Sequence, residues 1–152
     1  GLFEKNQIEF IPTAIVSSGN KSSKVNGPIT SQSIIKTLNE IKENRDINLY
    51  DGGDLYRDYI HVDDVVQAIN LIIEKGEIGE IYNVANGEKV YLREALDYVR
   101  EKVNSTSKFN SIDVVPFHKI TQTRNMVLDI TKLKKLGYTP KYSTKRMLDT
   151  II

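Results

Sequence analysis

The sequence predicts an α/β fold, and three observations carry that prediction. Short apolar runs of strand character are bounded by Gly, Pro, Asn or Asp. Between them lie longer segments whose apolar residues recur every three or four positions, the spacing of one helix face. The two kinds of segment alternate, irregularly, along the whole chain, and no repeat or low-complexity tract interrupts them.

Taken in order, Ile8, Phe10, Ala14, Ile15 and Val16 predict a buried first strand, with Pro12 weakening its middle. The stretch GNKSSKVNGP at 19–28 is rich in Gly, Ser and Asn and reads as a loop. Ser31 to Glu43 predicts a helix with Ile34, Ile35, Leu38 and Ile41 on one side. INLY at 47–50 alternates and stops at the turn signal Asp51-Gly52-Gly53. A helix from about Asp64 to Lys75 presents Val65, Val66, Ala68, Ile69, Ile72 and Ile73 as one broad apolar face, and Gly76 suits its end. IYNVA at 81–85 is a short strand closed by Asn86-Gly87. A helix over about 91–103 carries the stripe Leu92, Ala95, Leu96, Val99 and Val103. SIDVV at 111–115 and NMVLD at 125–129 predict two more strands. Asp129 caps a short helix with Ile130, Leu133 and Leu136 inward, and Ser143 caps a last one with Met147, Leu148, Ile151 and Ile152 inward. The first strand begins almost at residue 1 and the last helix ends on two isoleucines, so both ends read as cut or unusually tight.

Composition narrows the function classes. The 152 residues are 39% hydrophobic and 27% charged, enough to bury one core. With 21 basic and 20 acidic residues the net charge is +1, which argues against binding nucleic acid or a membrane through bulk charge. A local anion site stays open. The absence of cysteine removes disulfides, thiol catalysis and cysteine metal clusters, and His61 and His118 are too few for a histidine-rich metal site. No run of apolar residues is long enough to span a bilayer, and the N-terminus has no signal-peptide pattern, so a cytoplasmic location is the expectation.

Chemistry-bearing residues concentrate in YRDYIHVDD, residues 56–64. That stretch could be an active site, a metal site, a ligand clamp or the handover from a strand to a helix. Its wider context resembles the C-terminal half of the extended short-chain dehydrogenases/reductases, the family of nucleotide-sugar epimerases and dehydratases that includes UDP-galactose 4-epimerase. The pattern is Arg57-Asp58-Tyr59-Ile60-His61-Val62-Asp63-Asp64, an apolar helix, Gly79, Tyr82-Asn83-Val84 and Gly87. LDITKLKKLGYTP at 128–140 and VNGP at 25–28 match further family segments, so the resemblance runs from about Ile8 to the C-terminus.

The resemblance implies the C-terminal part of a Rossmann-type fold that lacks its N-terminal dinucleotide-binding half, with residues 1–152 forming one substrate-binding region. It implies no cofactor in this chain and NAD(P) in the full-length enzyme. It implies a nucleotide-diphosphate sugar as ligand, the missing Rossmann half as partner, and a homodimer of the full-length enzyme as an open question. The sequence contains no G-x-x-G-x-x-G. Its one Tyr-x-x-x-Lys, Tyr98 to Lys102, lies on an amphipathic helix outside the region where the family keeps that dyad, and is not taken as catalytic. The chain alone is therefore expected to be inactive. The alternative reading is a free-standing, non-catalytic nucleotide- or partner-binding module of the same descent.

Residue by residue, the resemblance puts Arg57 on the substrate diphosphate, where a guanidinium fork suits phosphate oxygens. An ion pair with Asp58 or Asp54 is the competing role. Tyr59 either packs near the nucleotide or enters the core. Lys24 stands where the family has an asparagine near the phosphate. Lys119 and Gln122 stand at the Arg and Asp slots of the family's R-x-G-D, with Arg124 a nearby substitute, so these three are the remaining phosphate or ribose candidates. Asp63 and Asp64 are expected to cap the following helix and face its positive end. Asn83 is expected to brace its strand and Gly87 to take a turn conformation. Epimerase and dehydratase chemistry stay undivided.

Overall fold

A computed structural model describes residues 9–12, 15–16, 31–114, 116 and 125–152. The expected first strand is two short ones, β1 (Glu9–Pro12) and β2 (Ile15–Val16). Pro12 ends the first, since a residue without an N–H cannot extend a ladder. β1 runs parallel to β6 (Ile81–Val84), and β2 parallel to β5 (Ile60–His61). β3 (Ile47–Tyr50) runs parallel to β8 (Phe109–Ile112), with Ile47 opposite Phe109. β4 (Tyr56–Arg57) and β7 (Val90–Tyr91) form the one antiparallel pair among the described residues. The helices are α1 (Ser31–Lys42), α2 (Val62–Lys75), α3 (Leu92–Lys102), α4 (Thr131–Lys135) and α5 (Thr144–Asp149).

Two expected strands differ from the structure. The strand placed at 111–115 lies at 109–112, because Asp46 and Asn48 fix its start through Lys108 and Asn110. Residues 125–129 are not a strand. They run beside β4, where the Tyr56 N–H donates to Asn125 Oδ1 and the Met126 N–H to the Tyr56 carbonyl. An asparagine side chain takes one bond that a ladder would have given to backbone, and regular pairing stops there.

Two apolar clusters form the interior. The first gathers Leu38 and Ile41 of α1, Ile47 and Leu49 of β3, Ala95, Leu96 and Val99 of α3, and Met147 and Leu148 of α5, together with Tyr59 and Val90. The second gathers Val65, Ala68 and Ile72 of α2, Tyr82 and Val84 of β6, and Ile130, Leu133 and Tyr138, together with Ile60 and Ala85. Residues 59 and 60 are thus neighbours in the chain and members of different clusters. Two buried phenols are paired: Tyr138 donates to the Ala85 carbonyl and Tyr82 accepts from the Glu77 N–H.

Candidate functional site

The β4–β7 ribbon positions Arg57. Its register sets Tyr56 opposite Tyr91 and Arg57 opposite Val90, so alternation gives the ribbon two unlike faces. On one face the Tyr56 and Tyr91 rings meet edge-on, centroids 5.6 Å apart, and Lys89 Nζ sits 4.2 Å and 4.8 Å above them. Arg57 belongs to the other face, with Val90. It is half-buried, and loss of water holds its guanidinium below its ordinary pKa, an effect opposed by Tyr59. A guanidinium partly withdrawn from water interacts more strongly with an anion than an exposed one does.

Tyr59 enters the first cluster at 5% exposure. Burial pushes its phenol up, and among the described residues its hydroxyl has no hydrogen-bond partner. Of the two roles open to it, the structure gives it the core position, with its electrostatic coupling to Arg57 retained.

Asp58 does something the sequence reading missed. It is 1% exposed, and its carboxylate faces the 86–87 turn. Oδ1 accepts from the N–H groups of Asn86 and Gly87 at 3.0 and 3.1 Å, and Oδ2 accepts from Gly87 at 3.0 Å. Burial raises its pKa, and the amides pull it back down. Gly87 has φ 75°, and a Cβ there would stand 2.8 Å from Ile130 Cδ1. The turn conformation expected of Gly87 is present, and so is the brace expected of Asn83, whose Nδ2 donates to the Asp129 carbonyl. The Arg-Asp dipeptide followed downstream by Asn-Gly was the available signal for the Asp58 clasp.

The helix cap differs from expectation. The side chain that caps α2 is His61, whose Nδ1 accepts from the Asp63 N–H at 3.1 Å. Asp63 and Asp64 lie in the first turn, where their charge suits the helix dipole, but their oxygens serve other partners. Asp64, fully buried, accepts from the N–H groups of Lys141 and Tyr142 at 2.8 and 3.1 Å. Asp63 Oδ2 accepts from the Tyr142 hydroxyl. The His61 and Tyr142 rings stack with centroids 3.8 Å apart. A histidine occupied in this way has no free lone pair on Nδ1 for a metal, and among the described residues no group of three His, Asp or Glu is arranged to hold one.

Arg57 and Tyr59 are therefore brought together. Lys24, Lys119, Gln122 and Arg124, together with His118, lie outside the described residues. Asn125, which follows Arg124 in sequence, is bonded to Tyr56 beside Arg57.

The parallel strands, the helices between them and the Arg57 ribbon define a class, the Rossmann-type extended short-chain dehydrogenases/reductases. The family model described as GDP-mannose 4,6 dehydratase matches residues 5–151, and the chain belongs to this family of NAD-dependent sugar epimerases and dehydratases. It is 25% identical over 142 residues to the low-salt glycan biosynthesis protein Agl12 of Haloferax volcanii, covering 93% of this chain and 44% of that protein. It is 28% identical to the dTDP-4-dehydro-6-deoxyglucose reductase of Escherichia coli, covering 76% of this chain and 35% of the other. Among solved structures, RMD from Pseudomonas aeruginosa complexed with NADPH superposes with a TM-score of 0.74 at 22% identity, covering 95% of this chain and 46% of that one. The epimerase Mth375 from Methanothermobacter thermautotrophicus gives 0.79 at 16% identity, with coverage of 97% and 42%. The chain thus spans less than half the length of these proteins.

The Tyr98–Lys102 pair is engaged by α5. Tyr98 donates to Asp149 Oδ1 at 2.7 Å, and Lys102 Nζ lies 3.1 Å from the same oxygen. The hydrogen bond to Asp149 raises the phenol's pKa, the opposite of what a tyrosine base needs. Among the described residues no helix is long and apolar enough to cross a membrane.

Proposed function

We propose that this chain supplies the substrate-binding portion of an NAD(P)-dependent nucleotide-sugar epimerase or dehydratase. The observation that carries the reading is Arg57, half-desolvated on the inner face of the β4–β7 ribbon beside the buried Tyr59. Arg57 grips the diphosphate of the nucleotide sugar. Arg124, Lys119 and Gln122, in the segment leading to Asn125, supply further phosphate or ribose contacts, and Lys24 supplies a point charge. NAD(P) carries the hydride when bound by the complete enzyme. This chain's own part is to hold and orient the diphosphate, so that binding energy far from the reacting carbon sets the sugar's position. On its own it binds without turnover.

The test is calorimetric titration of UDP, dTDP and GDP into the chain and into Arg57→Ala and Arg57→Lys variants. Binding of one nucleotide, lost by roughly two orders of magnitude in the alanine variant and only partly restored by lysine, is the expected result. Equal affinity in all three would sink the role of Arg57. Because the chain spans under half of its relatives, a non-catalytic module remains the second reading. A reading frame with a glycine-rich phosphate loop and a Tyr-x-x-x-Lys preceding these residues favours the enzyme.

A further inference from the structure

The β4–β7 ribbon that carries Arg57 is two residues long on each strand. A pairing that short does not hold itself in water, so the groups at its ends decide where Arg57 stands. At one end Asn125 takes the Tyr56 N–H, and the Leu92 N–H donates to the Leu55 carbonyl at 2.9 Å. At the other, Asp58 holds the amides of Asn86 and Gly87, the turn that leads into β7.

Glu88 fastens that turn to a distant part of the chain. It lies two residues before Val90, the register partner of Arg57. Its Oε2 accepts from the Thr144 N–H at 3.0 Å, from the Thr144 hydroxyl at 2.9 Å and from Asn86 Nδ2 at 3.2 Å. Asn86 in turn gives its N–H to Asp58. A continuous run of hydrogen bonds thus leads from Thr144 through Glu88 and Asn86 to Asp58, the residue beside Arg57.

Thr144 opens α5 and is 4% exposed. A hydroxyl that deep needs an acceptor, and a carboxylate makes the stronger bond. α5 also places Met147 and Leu148 in the first cluster, which holds Val90 and Tyr59. The helix therefore reaches the ribbon twice, through a shared core and through Glu88 at the turn. Asp64 holds Lys141 and Tyr142, upstream of the Ser143 cap, and takes no part in the Glu88 bonds.

We propose that Glu88 is a positioning residue for Arg57. By clamping the buried head of α5 it fixes where β7 stands, and so where the guanidinium across the ribbon meets an anion. Glu88 acts through β7 rather than on the ligand. The inference rests on the reading of Arg57 as the diphosphate grip.

Residue-resolved amide hydrogen exchange in the full chain tests it. Thr144→Val keeps the side chain's shape and loses the hydroxyl. In that variant and in Glu88→Ala, the Asn86, Gly87 and Leu92 amides should exchange about tenfold faster relative to those in the second half of α2. Thr144→Ser, which restores the hydroxyl, should return them to the wild-type rate, and Asp64→Ala should leave the ratio unchanged. A uniform rise that includes α2 would mark a general loss of stability and overturn the proposal. So would a rise confined to α5, a Thr144→Ser variant as fast as Thr144→Val, or an equal loosening of the ribbon by Asp64→Ala. In nucleotide titration Glu88→Ala should weaken binding by about tenfold, and wild-type affinity would overturn the proposal as well. If the wild-type chain binds no nucleotide, the Arg57 reading falls, and the exchange ratio still decides whether Glu88 sets the ribbon.

Discussion

Asp58 and Asp64 are buried carboxylates in the same short stretch, and each holds the N–H groups of two consecutive residues. They reach in different directions. Asp58 holds the turn at Asn86-Gly87, next to the β4–β7 ribbon that carries Arg57. Asp64 holds Lys141 and Tyr142, which lead into α5. The same chemistry is thus used once beside the proposed ligand site and once to fasten the end of the chain. The difference teaches that burial and partner type alone do not mark function. Under the proposed function, nearness to Arg57 is what separates the two.

The largest expected effect comes from removing each clasp. Asp64→Ala leaves two part-buried amides without their acceptor, and should cost about 2 kcal/mol in urea unfolding. Asp58→Ala should cost somewhat less, since burial already disfavours its charged form. The comparison sharpens if nucleotide affinity, measured where both variants are folded, falls for Asp58→Ala and holds for Asp64→Ala. Equal losses of affinity would break it.

Gly87→Ala attacks the Asp58 clasp from the other side. The residue sits at φ 75° with Ile130 in the way of a Cβ. A cost of about 2 kcal/mol is expected from the left-handed backbone and the contact together. An unchanged midpoint would show that the turn can relax. His61→Ala removes the α2 cap on the Asp64 side, and should lower stability by about 1 kcal/mol. It should leave nucleotide affinity as it was, if that side is purely structural.

The smallest effects are slopes with pH, and they have opposite signs. The folded-state pKa of Asp58 is raised above 3.8. Its contribution is therefore full below the unfolded value and lost as pH rises through the folded one. Asp129 is held below 3.8 by the Thr131 hydroxyl and amide. Its contribution is present above the unfolded value and lost as pH falls through the folded one. Urea midpoints across the acid range should show wild type losing ground to Asp58→Asn as pH rises, and to Asp129→Asn as pH falls. Parallel slopes would contradict the assignment.

Much of the secondary structure was legible because period and caps are local. The helix read at Ser31–Glu43 is Ser31–Lys42, the helix at 91–103 is Leu92–Lys102, and Ser143 caps α5 as its sequence suggests. What failed depends on partners far along the chain. Nothing in NMVLD announces that Asn125 will take the Tyr56 N–H. Nothing in HVDD announces that Lys141 and Tyr142 will claim Asp64 and leave the cap to His61. The breadth of the apolar arc on α2 was visible, but which of its residues are buried (Val65, Ala68, Ile72) and which are exposed (Val66, Ile73) belongs to packing. At the proposed site, the resemblance points to Arg57, whereas Asp58 figures in the sequence only as one of two possible counter-ions, because its amide partners are 28 and 29 residues away.

The split between Tyr59 and Ile60 has a consequence for how this stretch can change over time. One side chain enters the first cluster and its neighbour the second, while β4 and β5 on either side hold separate strand partners. A single-residue insertion or deletion between them would swap every assignment at once. It would present Tyr to one core, Ile to the other, and turn Arg57 or Asp58 out of place. Substitutions can be absorbed here one at a time, but length cannot. The segment behaves as a fixed reading frame inside the protein, and its descendants should vary in letters before they vary in spacing.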